Sequence, residues 1–291
     1  GIIGQGAGES ITTGTNNIHV GLNSGHSYDT ESNNLGVGFS SLSGSIAGGE
    51  FNVAIGNFSL DALTSGDNNT AIGYQAASAI TSASENVYIG RLAGGTGVGT
   101  SAYNVMIGNE AGEAGTSVSE ATFVGFQAGT SNTTGSNVLA MGYLAYDAAD
   151  TENHNLAIGT HALGGAVAGG EYNVAIGNYS LDALTSADYC TAVGYQAGSA
   201  VTTGAYNTFI GHQSGDANTS GNTNTAVGHG SLGSNTVGDR NTAVGSGALG
   251  SFNPSSNTDD SNTAVGYGAG NELTTGVKNV AIGTLALFVL F

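Results

Sequence analysis

A glycine recurs at positions 4, 21, 38, 56, 73, 90, 108, 125, 142, 159, 177, 194, 211, 228, 245, 266 and 283, each preceded by Ile, Val or, once, Met141. Twelve of the sixteen intervals are 17 residues, three are 18 and one is 21. A period this short leaves no room for a helix pair, and its regularity is foreign to a globule built around one active site; it describes a stack of equivalent coils. Composition narrows the choice further. Gly makes up 51 of 291 residues with no Gly-X-Y period, which excludes collagen, while the unbroken Ile/Val column excludes a disordered linker. With one Pro, no Trp and 8% charged residues, the core of each coil must be thin.

Aligned on the glycine, the unit reads Asn-(Thr/Val)-Ala-(Ile/Val)-Gly-x-x-(Ala/Ser), followed by a polar, variable stretch, and Asn69 to Ala76 is one clean copy. Alternation over these positions is the period-2 signal of a short strand. The expected fold is all-β: a parallel β-solenoid, or β-roll, of about 17 coils with 17–18 residues per coil, two short strands and two bends in each. At ~4.8 Å per coil, one continuous solenoid over residues 1–291 would form a rod on the order of 80 Å long. The chain starts and stops in mid-repeat, so a segment of a longer protein is expected. A block from Gly49 returns from Gly169, with Gly56 and Gly177 lying 121 residues apart, as expected of growth by duplication.

Each column of the alignment becomes a ladder in a solenoid. The Ile/Val column before the glycine reads as the buried face, shared with the Thr/Val column represented by Thr70; the mainly Ala column of Ala71 then lies opposite, free to pack between chains. Three residues after the glycine only Ala or Ser occurs, a tight corner or the approach of another chain. Asn stands four before the glycine except at Ala121, Val138 and Cys190, and stacked amides at this spacing can bond along the axis. The residue just after the glycine is often aromatic: Phe39, Tyr74, Phe126, Tyr143, Tyr195, His212, His229 and Tyr267. Exposed rings there would stack on sugars. The 21-residue interval, with an inserted loop at 251–261, adds Phe252 as a candidate surface residue.

With 21 acidic against 3 basic residues the formal charge is -18, which repels nucleic acid and anionic membranes. Acids five after the glycine (Glu9, Asp61, Glu113, Asp147, Asp182, Asp216) never fall in successive coils, as charge avoidance requires. His212 and His229 neighbour each other without a second ligand pattern, so no metal is expected. Cys190, the lone cysteine, reads as a small side chain in the Asn column. No catalytic constellation, cofactor motif or membrane-inserting segment is apparent.

The copies Asn52-Val53-Ala54-Ile55-Gly56, Asn173-Val174-Ala175-Ile176-Gly177 and Asn279-Val280-Ala281-Ile282-Gly283 resemble the head repeats of trimeric autotransporter adhesins, and the Asn-Thr-Ala-Val-Gly-Tyr-Gln-Ala variant resembles repeats of bacteriophage tail fibres. That resemblance covers nearly the whole chain and implies a left-handed β-roll, a homotrimer and attachment to surfaces. The leading expectation is a non-catalytic structural and adhesive fibre, virion-borne or extracellular, that binds a host-surface glycan or protein receptor. Alternatives are an extracellular matrix or surface-layer filament, an ice-binding solenoid using the column of Thr191, Thr208, Thr225, Thr242 and Thr263, and a polysaccharide depolymerase spike using Asp147, Asp182 and Asp216. Because the Thr column turns to Val, Leu or Ile elsewhere, it is expected to face inward.

Overall fold

A computed structural model describes residues 1–44, 48–95, 99–256 and 259–287. The chain divides into two compact units, Gly1–Thr151 and Glu152–Phe291. The first carries nine strands, from β1 (Ile2–Ile3) to β9 (Leu139–Met141), and the second eight, from β10 (Leu156–Ile158) to β17 (Val280–Ile282). Within each unit every strand pairs in parallel with the next, in register on the repeat: Thr70 faces Val87, and Thr191 faces Thr208. The fold is therefore a parallel β-solenoid, as the period implies. No helix among the described residues is long and apolar enough to cross a membrane.

Among the described residues each coil contains one strand of three residues, not the two expected, save that β1 has only two. In place of a second strand the chain runs through successive turns in which bulky residues adopt left-handed backbone. Gly73 to Ala76 is typical: Ala76 N donates to Gly73 O at 3.4 Å while Gln75 has φ 54°, the positive value that the third residue of a type II turn demands. Two residues on, Ala77 is again left-handed, and its N–H donates to Ala93 in the next coil at 2.9 Å. Alternating handedness keeps donors and acceptors aimed along the stack, so the turns are laddered like a strand without its pleat.

The repeating glycine occupies a backbone that a side chain cannot share. Its φ lies between 120° and 145° in every coil, and a β-carbon on Gly194 would sit 2.5 Å from the carbonyl oxygen of Gly211, one coil on.

The two faces of the strand are the reverse of the sequence expectation. Residues two before the glycine point inward: Ala54, Ala71, Phe123, Ala175 and Phe209 are all fully buried. The Ile/Val column and the Thr/Val column point outward and are half-buried or exposed, with Ile55, Met141, Ile210 and Val265 at 36–42%. Between these two inward columns a coil this narrow has room for only one large side chain, and Ala or Gly supplies the missing space. Where Tyr88, Met106, Phe123 or Phe209 enters, the residue four after the same glycine is Gly94, Gly112, Gly129 or Gly215. Where Ala54, Ala157, Ala175, Ala226 or Ala243 enters, that position is Leu60, Leu163, Leu181, Leu232 or Leu249. Gly198, opposite Ala192, is filled from both sides: a β-carbon there would meet Phe209 at 2.8 Å and Leu181 at 3.0 Å. Constant total volume is what close packing demands.

The Asn column is buried and does more than stack. Asn52 Oδ1 accepts the N–H of Asn69 at 3.0 Å, and its Nδ2 donates to Gly66 O at 2.8 Å, so one amide pins two points of the next coil. Asn224 repeats this with Asn241 (2.9 Å) and Gly238 (2.8 Å). Amide-to-amide bonds also occur, as from Asn86 Nδ2 to Asn69 Oδ1 at 3.0 Å. Cys190 keeps half of the clamp: its thiol donates to Gly204 O at 3.3 Å. Burial pushes that thiol up to about 11, which makes it a poor nucleophile. The Ala/Ser column fills the tight inner corner, and Ser59 and Ser180 donate to the carbonyls of Gly56 (2.9 Å) and Gly177 (2.8 Å).

Phe252 is fully buried and belongs to the core, with its N–H bonded to Leu249 O at 3.1 Å. It occupies the seventh place after Gly245, a column held inside elsewhere by Leu63, Leu184 and Val201. The expected surface role is thus overturned: the insertion begins after Phe252, and a thin core has no ring to spare. Asn253 Oδ1 then accepts from Thr236 Oγ1 (2.8 Å), and Asp260, also buried, accepts from Asp239 N (3.0 Å). Asn257 and Thr258 of the expected loop lie outside the described residues.

Three outcomes test this packing. Gly194→Ala should cost at least ~2 kcal/mol, from backbone strain and the blocked carbonyl, whereas Gly99→Ala, where a β-carbon finds only ordinary contacts at 3.4 Å, should be nearly neutral in urea titrations. Phe209→Ala should cost about 3–5 kcal/mol, and Gly215→Leu added to it should recover part of the loss by recreating the Ala–Leu pairing. His19 is buried against Tyr28, with ring centroids 5.2 Å apart, and burial, with the N-terminal ammonium second, lowers its pKa from 6.5 to about 4. Between these values the unfolded chain binds the proton and the folded chain does not, so His19 makes stability fall as pH drops from 6.5 toward 4. His19→Phe, a ring already accepted opposite Gly129 and Gly215, should flatten this part of the pH dependence in denaturant midpoints.

Candidate functional site

Outward positions alternate with inward ones from five residues before the glycine to one after it. The Asn and Ala columns face in; the columns between and beside them face out. The strand residues form the middle of this surface, and aromatic columns border it on either side.

The border after the glycine contains the residues expected from the sequence. Tyr74, Phe126, Tyr143, Tyr195, His212, His229 and Tyr267 are all exposed. Within the second unit Tyr195 stacks on His212 at 5.3 Å and His212 on His229 at 5.1 Å, with interplanar angles of 19° and 17°. Within the first, Phe126 stacks on Tyr143 at 5.4 Å. Coil spacing explains the distances, since equivalent side chains in successive parallel strands repeat at about 4.8 Å. The next residue adds further rings: Phe58 meets Phe39 edge-on at 5.0 Å, and Tyr179 stacks on His161 at 5.6 Å.

The other border was missed from the sequence. The residue just before the Asn column has φ between 50° and 64° in all sixteen coils that contain it, and this left-handed backbone turns the side chain outward. Asn16, Asn33, Asn68 and Asn137 suit such a conformation. Elsewhere it holds His154, Tyr172, Tyr189 and Tyr206, which stack in succession at 4.9, 5.1 and 5.2 Å with planes within 13°. Tyr206 is 61% exposed, and Phe51 and Tyr103 occupy the same column in the first unit. The aromatic bias was present in the alignment but was diluted by Asn, Glu, Arg and Lys at the same position.

Carboxylates lie beside both borders. Burial raises the pKa of Asp182 and Asp216, with His161 opposing it at Asp182 and backbone N–H donors, His212 and His229 opposing it at Asp216. Asp61 is pushed up to about 6 by burial, and its Oδ1 has no hydrogen-bond partner. None of these three shifts has another carboxylate among its causes, so no acid–base pair is indicated among them. Among the described residues no group of three or more His, Cys, Asp or Glu is arranged to hold a metal ion.

The Thr column also departs from expectation. Thr191, Thr208, Thr225, Thr242 and Thr263 are paired strand to strand and lie half-exposed on the outward face, because the Ala column has taken the interior.

The site is therefore a surface with a β-branched centre, bordered by stacked rings on both sides in the second unit and on the side after the glycine in the first, and among the described residues it holds no metal-binding cluster. Compared with known proteins, the chain matches no family model, no curated protein and no solved structure.

Proposed function

We propose that this chain is a segment of a structural and adhesive fibre, a phage tail fibre or comparable surface filament, that attaches to glycans on a host or other surface and carries out no catalysis. The observation that carries this reading is the row His154–Tyr172–Tyr189–Tyr206, four exposed rings stacked in register. Stacked aromatic faces with polar edges suit sugar rings, and repetition along the coils multiplies weak contacts. A charge of -18 favours neutral or basic partners.

The outward β-branched centre supports self-association. Parallel sheets are ordinarily covered on both faces, and an outward column of Ile and Val, with Met141 once, is a surface that a second and third copy would cover. The homotrimer is the form we propose, with chains meeting through these columns instead of the Ala column, which is spent on the interior.

Tyr172→Ala, Tyr189→Ala and Tyr206→Ala combined should leave the circular dichroism unchanged and reduce retention on a glycan array at least tenfold; unchanged retention would remove the adhesive role from this row. Sedimentation equilibrium should give three times the chain mass, and Ile176→Asp with Val193→Asp should lower it; a monomer at all concentrations refutes the trimer.

A second reading, ice binding, gains from the outward placement of the Thr191–Thr263 column, since a flat, regularly spaced Thr and Val array is what an ice plane would contact. Thermal hysteresis that disappears in Thr225→Tyr would place this reading first; its absence leaves the fibre reading alone.

A further inference from the structure

The row after the glycine is interrupted once in the second unit, and the interruption has the dimensions of one ring. Tyr195, His212 and His229 stack in successive coils. At the next rung the residue is Ser246, and at the one after that it is Tyr267. Register is unbroken across the three: Gly247 N donates to His229 O (2.9 Å), Gly268 N to Ser246 O (2.9 Å), and Leu285 N to Tyr267 O (2.8 Å). His229 and Tyr267 are thus two rungs apart, about 10 Å.

The neighbouring column deepens the gap. Where Gln196 and Gln213 stand in earlier coils, Gly230, Gly247 and Gly268 follow; the space beside Gly230 and Gly247 is open, and Leu285 packs over Gly268 at the far end. The result is a cavity of about 430 Å³ lined by His229 and Tyr267, by the hydroxyls of Ser246 and Ser251, and by Asn271 and Leu285. Its walls are aromatic and aliphatic, while the floor and rim offer hydroxyl and amide groups.

We propose that this cavity binds a single neutral hexopyranose residue, seated on Ser246 between His229 and Tyr267 as the missing rung of the ladder. A pyranose chair placed midway lies about 5 Å from each wall, a ring-to-ring distance at which its axial C–H faces meet aromatic faces. Its equatorial hydroxyls then fall toward Ser246, Ser251 and Asn271, where hydrogen bonds satisfy them. An aromatic ring would leave these polar groups unmatched, and an anionic sugar would enter against the net charge of the chain. The site rests on the adhesive reading above and gives it a substrate class and a position.

The test is saturation-transfer NMR on the whole chain with lactose, cellobiose, maltose and chitobiose, and sialic acid as the anionic control. At least one neutral sugar should receive saturation at its ring C–H protons, and sialic acid should receive none. Ser246→Tyr, which only extends a ladder that already accepts Tyr at positions 143 and 195, should weaken that signal at least tenfold, and Tyr267→Ala at least fivefold. Thr116→Ala, an exposed position of the first unit outside both aromatic borders, should leave it unchanged. Sugar binding that survives both Ser246→Tyr and Tyr267→Ala but fails in the triple Tyr172, Tyr189, Tyr206 variant overturns this site and leaves the adhesive reading intact. If no neutral sugar binds while glycan-array retention persists, the site falls alone; if retention is absent as well, both fall.

Discussion

Everything in this structure depends on one close approach: the glycine of each coil passes its carbonyl under the glycine of the coil before. The contact leaves no space for a β-carbon, and φ near 130° excludes other residues on conformational grounds as well. Because the approach recurs in the same place, each strand is delivered to its neighbour in register without any choice of alignment. Short strands of three residues would otherwise slip easily, and a slip of one residue would exchange their faces.

Two other devices make the thin coil stable. The buried Asn amide supplies both an acceptor and a donor to the following coil, satisfying backbone groups at a bend that has no room for water. In most rungs volume is balanced by exchanging large and small residues between two inward columns, so Phe with Gly and Ala with Leu are equivalent solutions of the same cross-section, and where both are small, as at Ala192 and Gly198, side chains of the adjacent rungs fill the space. A repeat array can vary its sequence under that rule while its outer surface evolves separately.

Much of this was legible in the chain. The period, the parallel solenoid, the intolerance of the glycine column, the Asn ladder and the ring column of Tyr74 to Tyr267 follow from aligned residues. Three features did not. Hydrophobicity suggested that Ile and Val line the interior, but cross-section decided otherwise: the volume available inside a coil cannot be inferred from polarity, and a small residue such as Ala54 leaves room for Leu60 where an Ile would not. Phe252 looked like part of an insertion because its role depends on the seventh position, whose members range from Asn235 to Tyr28. The row of Tyr172, Tyr189 and Tyr206 escaped because its outward direction comes from left-handed backbone, which residue type alone signals only where Asn is present.

By itself the sequence determined the coil length, the number of repeats and the positions at which only one kind of residue is admissible, since each of these is a local constraint repeated along the chain. Tertiary structure alone decided which face of the strand is inside, which rings stand in line, and that the rung at Ser246 opens into a cavity. These depend on how much volume the closed coil encloses and on which side chains successive coils bring within one rung of each other, and neither quantity exists until the chain has wound upon itself.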